Sequence, residues 1–323
     1  MVIAGIDEAG YGPLLGPLVV GCCAFEVQGH PPDAELPCLW SKLKKLVSKN
    51  RLRSGKKIHV NDSKAVYSPS IGIKELERGV LSIAASYAPW PENLKSFLAH
   101  VSPDVVAELD EYPWYRPAAG ERFPCEIDGM GTKLFANGLR HEMDRVGTRC
   151  VHYAARVLPE KQLNRQLIAT RNKSSVLFSV AAMHLDHLLR HYGTQNLVIY
   201  CDRQGGREHY GHLLRLMFDE WSLEIIGEAD GRSEYRLHRG DHSVQIVFCE
   251  KAEAQCMSVA AASMLCKYLR EVLMRRFNAY WREQIPGVAP TAGYYSDGMR
   301  FLKEIDARRL ELGIPDDHLI RCR

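Results

Sequence analysis

The chain has 323 residues and 46% hydrophobic content, which is enough for a sizeable core in one large domain or two small ones. Its formal net charge is only +3, so bulk charge does not indicate a nucleic-acid partner, and any such binding must come from local patches. No apolar stretch approaches the roughly 18 residues that indicate a membrane span. The 10 cysteines show no C-x-x-C pair and no zinc spacing, and with no recognisable signal peptide they predict a reduced, cytoplasmic protein.

Hydrophobic periodicity predicts an α/β chain in which strands and helices follow one another. A polar, basic stretch at 29–57 is interpreted as a solvated helix and loop, with a groove-lining role as the alternative. Residues 88–148 have no steady period and look like an insertion with its own short helices. The predicted strands are 2–6, 17–25, 150–158, 197–201, 223–226, 234–238 and 244–249, and the predicted helices are 70–86, 174–190, 208–218, 256–277 and 297–308.

Two adjacent carboxylates, Asp7 and Glu8, follow the first predicted strand. Two negative side chains this close repel each other, and burying them unpaired is costly unless a divalent cation binds. The alternative is a solvated turn between two strands. A dinucleotide-binding loop is a weaker interpretation, because Gly10, Gly12 and Gly16 have the wrong final spacing and a strand rather than a helix follows them.

Acidic residues also end two later strands, at Asp202 and at Glu250 and Glu253. Ligands of α/β sheets gather beyond the strand ends, and several carboxylates there would suit Mg²⁺ or Mn²⁺. Two such ions would suit phosphodiester hydrolysis. Taken alone, Asp202 is better explained as a helix N-cap, and the two glutamates as the acidic first turn of a helix, than as catalytic residues. Their recurrence at three strand ends favours a shared metal site.

These motifs, in this order, resemble the type 2 ribonucleases H, the ribonuclease HII family. Residues 5–17 read GIDEAGYGPLLGP, which is similar to the family's opening motif, and residues 62–64 match its D-S-K motif. Asp202 corresponds to its third acid. Residues 251–254, KAEA, with the Ser/Ala-rich segment that leads to Lys267 and Arg270, resemble its helix motif. Gly293 and Tyr294 fit its G-Y motif.

The resemblance implies a ribonuclease H-like fold, a mixed central sheet flanked by helices with a helical C-terminal part. It divides the chain into a catalytic core at 1–270, with the insertion near 88–148, and a C-terminal helical extension at 271–323. It implies a two-metal endonuclease that cleaves the RNA strand of RNA/DNA hybrids with Mg²⁺ or Mn²⁺. The implied metal ligands and catalytic residues are Asp7, Glu8, Asp202 and Glu253, and the implied substrate contacts are Gly10, Tyr11, Gly12, Lys64 and Tyr294.

Several features keep alternatives open. Tyr11 stands where the family has arginine. Whether this chain shares the family's preference for single-ribonucleotide junctions is therefore open. Glu253 replaces an aspartate, so Glu250 competes for the role of fourth acid. For a lone lysine such as Lys64 a surface position is the default interpretation, and Tyr294 is equally a core tyrosine. The rival functions are a nuclease of the same fold with another nucleic-acid substrate and a non-catalytic nucleic-acid-binding protein. No membrane partner is expected.

Overall fold

The computed structural model describes residues 1–31, 34–52, 55–117 and 120–322. Arg53 of the basic stretch, together with Ala118 and Ala119 of the predicted insertion, lies outside the described residues. Within the described ranges, no helix is long and apolar enough to cross a membrane.

A mixed sheet organises the chain. Its strand order is β5-β2-β1-β6-β9-β8-β7, and a separate two-stranded ribbon joins β3 to β4. In the seven-stranded sheet β1, β6 and β9 run parallel to one another and the other neighbours pair antiparallel, whereas β3 and β4 of the ribbon pair parallel. The strands are β1 Val2–Ala9, β2 Leu18–Val27, β3 Val47–Ser48, β4 Ile58–His59, β5 Thr148–Leu158, β6 Leu197–Asp202, β7 Ser222–Ala229, β8 Arg232–Arg239 and β9 His242–Cys249.

Helices cover both faces of this sheet, so the predicted mixed central sheet flanked by helices, with a helical C-terminal part, is confirmed. The helix α7, between β5 and α8, was not predicted. The helices are α1 Leu39–Lys42, α2 Ser63–Val66, α3 Lys74–Tyr87, α4 Leu94–Val101, α5 Val105–Leu109, α6 Gly129–Arg145, α7 Glu160–Thr170, α8 Lys173–Tyr192, α9 Gly211–Met217, α10 Ala252–Gln255, α11 Met257–Gln284, α12 Tyr295–Glu311 and α13 Asp316–Leu319, with a 3-10 turn at Pro113–Tyr115.

The two faces of β1 enter two different cores because side chains alternate along a strand. Ile3 packs in the core under α11, whereas Ala4 and Ile6 pack in the core under α8. Gly5 lets α11 lie directly on the strand, since a Cβ atom there would come within 2.1 Å of the Val259 nitrogen. This close approach brings α11 alongside the carboxyl end of β1.

The segment 88–148 folds into the short helices α4, α5 and α6 and the 3-10 turn. Its Trp114 is buried against Phe277 of α11, with ring centroids 5.9 Å apart. Buried Glu77 of α3 accepts backbone N–H hydrogen bonds from Cys125, Glu126 and Ile127. The segment thus shares the core of α3 and α11, and α11 continues through residue 270. The division of the chain at 270 and the status of 88–148 as an insertion stay predictions.

Candidate active site

The parallel strands β1 and β6 carry Asp7 and Asp202 to the same edge of the sheet. Ile6 lies opposite Cys201 in their register, so the next residue of each strand is one of these acids. β9 pairs with the other side of β6 and places Cys249 opposite Asp202. Three consecutive parallel strands therefore end side by side, as the sequence pattern predicted.

The turn after β9 separates Glu250 from Glu253. Lys251 adopts a left-handed backbone conformation with φ +53°, and α10 begins at the next residue. The Ala252 N–H donates to Asp202 Oδ1 at 3.3 Å, which holds this turn at the end of β6. Glu250 precedes the turn and forms an ion pair with Arg203. The two glutamates do not lie one helical turn apart, contrary to the expectation that both could face the same way.

A cavity of about 200 Å³ lies at these strand ends. It brings together all four predicted acids and Lys64, whereas Glu250 is not among its lining residues. Four further lining residues had no predicted site role, although the D-S-K and helix motifs contain them. The lining residues are Asp7, Glu8, Asp62, Ser63, Lys64, Asp202, Lys251, Glu253 and Ser263.

Two serines connect this cavity to α11. Ser263 of α11 lies 3.1 Å, oxygen to oxygen, from Ser63, which starts the short helix α2. Asp62 caps that helix by accepting the Lys64 backbone N–H at 3.2 Å. Ser263 also lies close enough to the Asp7 carboxylate to oppose the rise in its pKa. The D-S-K motif is therefore held against the helix motif, beside the carboxyl end of β1.

Burial and mutual repulsion make the carboxylates hard to ionise. Burial, then the charges of Glu8 and Asp202, hold the pKa of Asp7 well above its usual range. Burial and the Asp202 charge raise the pKa of Glu8 to about 8, although Lys64 opposes the shift. Burial also raises the pKa values of Asp202 and Glu253.

The donor chemistry of the cavity fits a divalent cation. Carboxylate and hydroxyl oxygens are hard ligands of the kind that Mg²⁺ and Mn²⁺ take in proteins. A bound cation would offset the repulsion that raises these pKa values. Lys64, whose charge opposes the shifts at Glu8 and Asp202, is exposed and cannot neutralise four acids.

The glycine-rich segment between β1 and β2 contains two kinds of glycine. Gly10 and Gly16 have φ near +85°, and a Cβ atom would lie 2.5 Å from the Pro17 oxygen and 2.4 Å from Met274 Sδ, respectively. The fold itself therefore requires both glycines. Gly12 is exposed, and a Cβ atom there would meet no described atom within 4 Å. Internal packing therefore does not require a glycine at position 12, and the missing side chain leaves room for an approaching ligand.

Tyr11 lies beside two cationic residues. The Lys173 ammonium is 4.9 Å from the centre of its ring. Burial and Glu8 raise the pKa of Tyr11, and the nearby Arg207 guanidinium opposes this rise. The ring also faces the backbone of Gly205, where a Cβ atom would lie 3.2 Å from the Tyr11 hydroxyl. Position 11 thus has positive charge beside it even though its own side chain is neutral.

Tyr294 is 55% exposed and is joined to the glycine-rich segment through its neighbour. The Gly293 carbonyl accepts the N–H groups of Leu14 at 2.8 Å and Leu15 at 3.1 Å. Buried Arg270 donates to the carbonyls of Leu15 and Ala292, at 3.2 and 3.1 Å. The helix-motif arginine therefore connects the G-Y motif to the glycine-rich segment, and Tyr294 is an exposed rather than a core tyrosine.

A second arginine that no sequence motif indicated supports the same segment. Arg321, near the C-terminal end, donates to the Gly10 carbonyl at 2.5 Å and to the Tyr11 carbonyl at 3.2 Å. It is 3% exposed, and burial lowers its pKa to about 10. Only the folded chain brings residue 321 to residue 10.

Comparison with known proteins gives partial sequence matches. No family model matches the chain. Ribonuclease HII of Gluconobacter oxydans is 31% identical over 77 residues, which cover 24% of this chain and 36% of that protein. Ribonuclease HII of Methanocaldococcus jannaschii is 46% identical over 61 residues, which cover 19% of this chain and 25% of that protein. The matched segments span about a third and a quarter of these curated relatives.

Comparison with solved structures gives matches of low sequence identity. The RNase HII of Archaeoglobus fulgidus, solved in complex with PCNA, gives a TM-score of 0.44 at 17% identity and covers 100% of this chain and 95% of that one. The ribonuclease H2 of Pyrococcus horikoshii gives a TM-score of 0.43 at 14% identity and covers 99% of this chain and 92% of that one. The two partial sequence matches support a divergent chain that is similar to ribonuclease HII.

Proposed function

We propose that this protein is a divalent-metal-dependent endonuclease that hydrolyses the RNA strand of RNA/DNA hybrids. The observation that carries the proposal is the cavity in which Asp7, Glu8, Asp202 and Glu253 meet at the ends of three parallel strands. A binding protein without catalysis has no need for buried carboxylates whose repulsion raises their pKa values. The partial matches to ribonuclease HII support the same reaction class.

The residues that line the cavity would have different roles in this reaction. Asp7, Glu8, Asp202 and Glu253 would hold two divalent ions, with Ser263 orienting the Asp7 carboxylate. When bound, Mg²⁺ or Mn²⁺ supplies the charge that activates water and stabilises the leaving oxygen. Lys64 would contact a phosphate of the scissile strand from the rim of the cavity.

Substrate contacts would come from the surface around the glycine-rich segment. Gly12 offers an exposed backbone without a side chain, which suits close approach of a nucleic-acid strand. Lys173 and Arg207 beside Tyr11 would meet phosphates, and exposed Tyr294 would stack on a sugar or base. We also place the protein in a reducing, cytoplasmic compartment, since all ten cysteines are free thiols.

A panel of cleavage substrates tests the reaction. We expect metal-dependent cleavage of the RNA strand of a long RNA/DNA hybrid, and none in chelator. Duplex DNA is the negative control, and a DNA duplex with one embedded ribonucleotide measures junction preference. Faster cleavage of single-stranded or structured RNA would favour another substrate of the same fold. Hybrid binding without cleavage of any substrate would show a non-catalytic protein.

We expect the fourth acid to be Glu253. Glu253→Gln removes an acid that lines the cavity, so metal-dependent cleavage should fall roughly a hundredfold. Glu250→Gln breaks only the partly exposed ion pair with Arg203, and the rate should stay within about threefold. Measuring both rates at saturating and at limiting Mg²⁺ compares metal affinity as well. A greater loss in the Glu250 variant would assign the role to Glu250.

We expect Tyr11 to weaken preference for an isolated ribonucleotide. A phenol lacks the charge and the forked donors of a guanidinium. Tyr11→Arg should therefore increase cleavage at a single embedded ribonucleotide about tenfold relative to a long hybrid, the effect of one charge-assisted hydrogen bond. Tyr11→Phe, which removes only the hydroxyl, is the matched control and should leave this ratio unchanged. The interpretation fails if the unmodified protein already cuts the single-ribonucleotide duplex much faster.

A further inference from the structure

A cluster of soft and borderline metal ligands lies on the α8 side of the sheet, apart from the acidic cavity. It consists of Cys22 on β2, His152 on β5 and His184 on α8, all three buried. One ligand atom from each residue lies within 4.8 Å of the others. We propose that this histidine–cysteine cluster binds Zn²⁺, as a site separate from the one that performs hydrolysis.

The sheet register places two of the ligands on one face. Cys22 pairs with Ala154 and Ala24 pairs with His152, so Cys22 and His152 are diagonal neighbours on adjacent antiparallel strands. Cys22 belongs to the core under α8, whereas its neighbour Cys23 belongs to the core under α11. The helix α8 crosses this face and supplies His184.

The hydrogen bonds leave imidazole nitrogens available. His184 Nε2 lies 3.0 Å from the Val20 carbonyl oxygen, which can only accept, so Nε2 carries the proton and Nδ1 keeps its lone pair. A carbonyl partner on the second nitrogen is the usual arrangement for a zinc-ligating histidine. His152 Nε2 is buried and finds no hydrogen-bond partner among the described residues. An orphaned buried nitrogen is costly, and a metal ion would satisfy it.

Electrostatics favours a neutral, ligating form of both histidines. Burial is the main reason that the pKa of His152 falls to about 3 and that of His184 to about 4. Burial raises the pKa of the Cys22 thiol, so its proton would pass to solvent only as the cation binds and balances the thiolate charge. Arg156 lies close enough to lower the pKa of His184 and opposes a cation, but it is paired with Asp104.

The geometry needs only a small contraction. Zinc bonds of about 2.0 Å to nitrogen and 2.3 Å to sulfur put ligand atoms roughly 3.4 Å apart in a tetrahedron. Separations of at most 4.8 Å are therefore closed by side-chain shifts of about an ångström. The ring of His187 stacks on that of His152, with centroids 4.1 Å apart, so His187 packs beside the three ligands.

A row of imidazoles connects the cluster with the surface. His184, His187 and His191 lie on one face of α8 at helical spacing, and His187 stacks on His191 at 4.1 Å. Burial decreases along this row, from buried His184 through half-buried His187 to exposed His191. The row offers a path by which a metal ion reaches the buried ligands.

Titration of the full chain with Co²⁺, in excess Mg²⁺ to occupy the acidic cavity, tests the proposal. We expect one tightly bound Co²⁺ per chain with a thiolate-to-cobalt charge-transfer band that Zn²⁺ abolishes. Cys22→Ala should lose the band, and His152→Asn should weaken binding at least about tenfold. Cys23→Ala, one residue away on the opposite face, is the matched control and should keep it.

Zinc X-ray absorption on the unmodified protein supplies a test that does not depend on folding of the variants. We expect one sulfur scatterer near 2.3 Å and two or three nitrogen scatterers near 2.0 Å. An oxygen-only shell, no thiolate band with Co²⁺, or a band that persists in Cys22→Ala would overturn the proposal. Because these readouts do not use cleavage, they stand apart from the proposed nuclease activity.

Discussion

Asp7→Asn should abolish metal-dependent cleavage while leaving the protein folded. The substitution removes one negative charge from the carboxylates that would hold the divalent ions. If the divalent ion held by Asp7 is lost, about 4 kcal/mol of transition-state stabilisation is lost with it. The reaction should then be roughly a thousandfold slower. The rate on a long RNA/DNA hybrid, measured under single-turnover conditions with Mg²⁺ and with Mn²⁺, gives the comparison.

Stability measurements separate this effect from damage to the fold. Asp7 is buried next to Glu8 and Asp202, so replacing its carboxylate with an amide relieves repulsion in the metal-free protein. The free energy of unfolding in chelator should therefore be unchanged or higher. Asp186→Asn, at a surface ion pair with Arg190, is the control and should keep full activity. Substantial cleavage by the Asp7 variant would remove Asp7 from the catalytic set.

The metal-free protein should lose stability as the pH rises, and divalent ions should restore it. The folded pKa of Glu8, about 8, lies above its usual value of 4.5, so the folded state holds this proton more tightly than the unfolded chain. That contribution is fully present below about pH 4.5 and is lost as the pH rises to about 8. The loss should be on the order of 5 kcal/mol, because the pKa differs between about 8 in the folded state and 4.5 in the unfolded chain and each pKa unit corresponds to about 1.4 kcal/mol.

Urea unfolding across this range, in chelator and in Mg²⁺, measures the effect. His152 and His184 have lowered pKa values, so their contribution to stability increases as the pH rises. The effect of Glu8 is therefore read from the difference in pH dependence between the unmodified protein and Glu8→Gln. This variant should show a flatter pH dependence and a smaller gain from Mg²⁺. An Mg²⁺ effect no larger at pH 8 than near pH 5 would contradict the assignment of a cation to this cavity.

Local sequence pattern was sufficient for the elements that carry the site. Continuous apolar runs predicted β1 and β6, and the acid at the end of each run predicted that Asp7 and Asp202 meet. This inference works because parallel neighbours end at one edge of a sheet, whatever the rest of the fold does. The helix α7 went unpredicted because two of its four buried positions, Glu160 and Asn164, are polar, so that only Leu163 and Leu167 mark its buried face.

The order of residues along the chain thus determined the strands of the large sheet and the acids at the ends of β1 and β6 and after β9. Only the tertiary structure decided which glutamate joins them, because the left-handed turn at Lys251 and the ion pair to Arg203 turn Glu250 away from the cavity. It also decided that Arg321 supports Gly10 and that Cys22, His152 and His184 form one cluster. The first contact joins residues about three hundred positions apart, and the second joins three different elements. Local periodicity and motif spacing therefore cannot predict either of them.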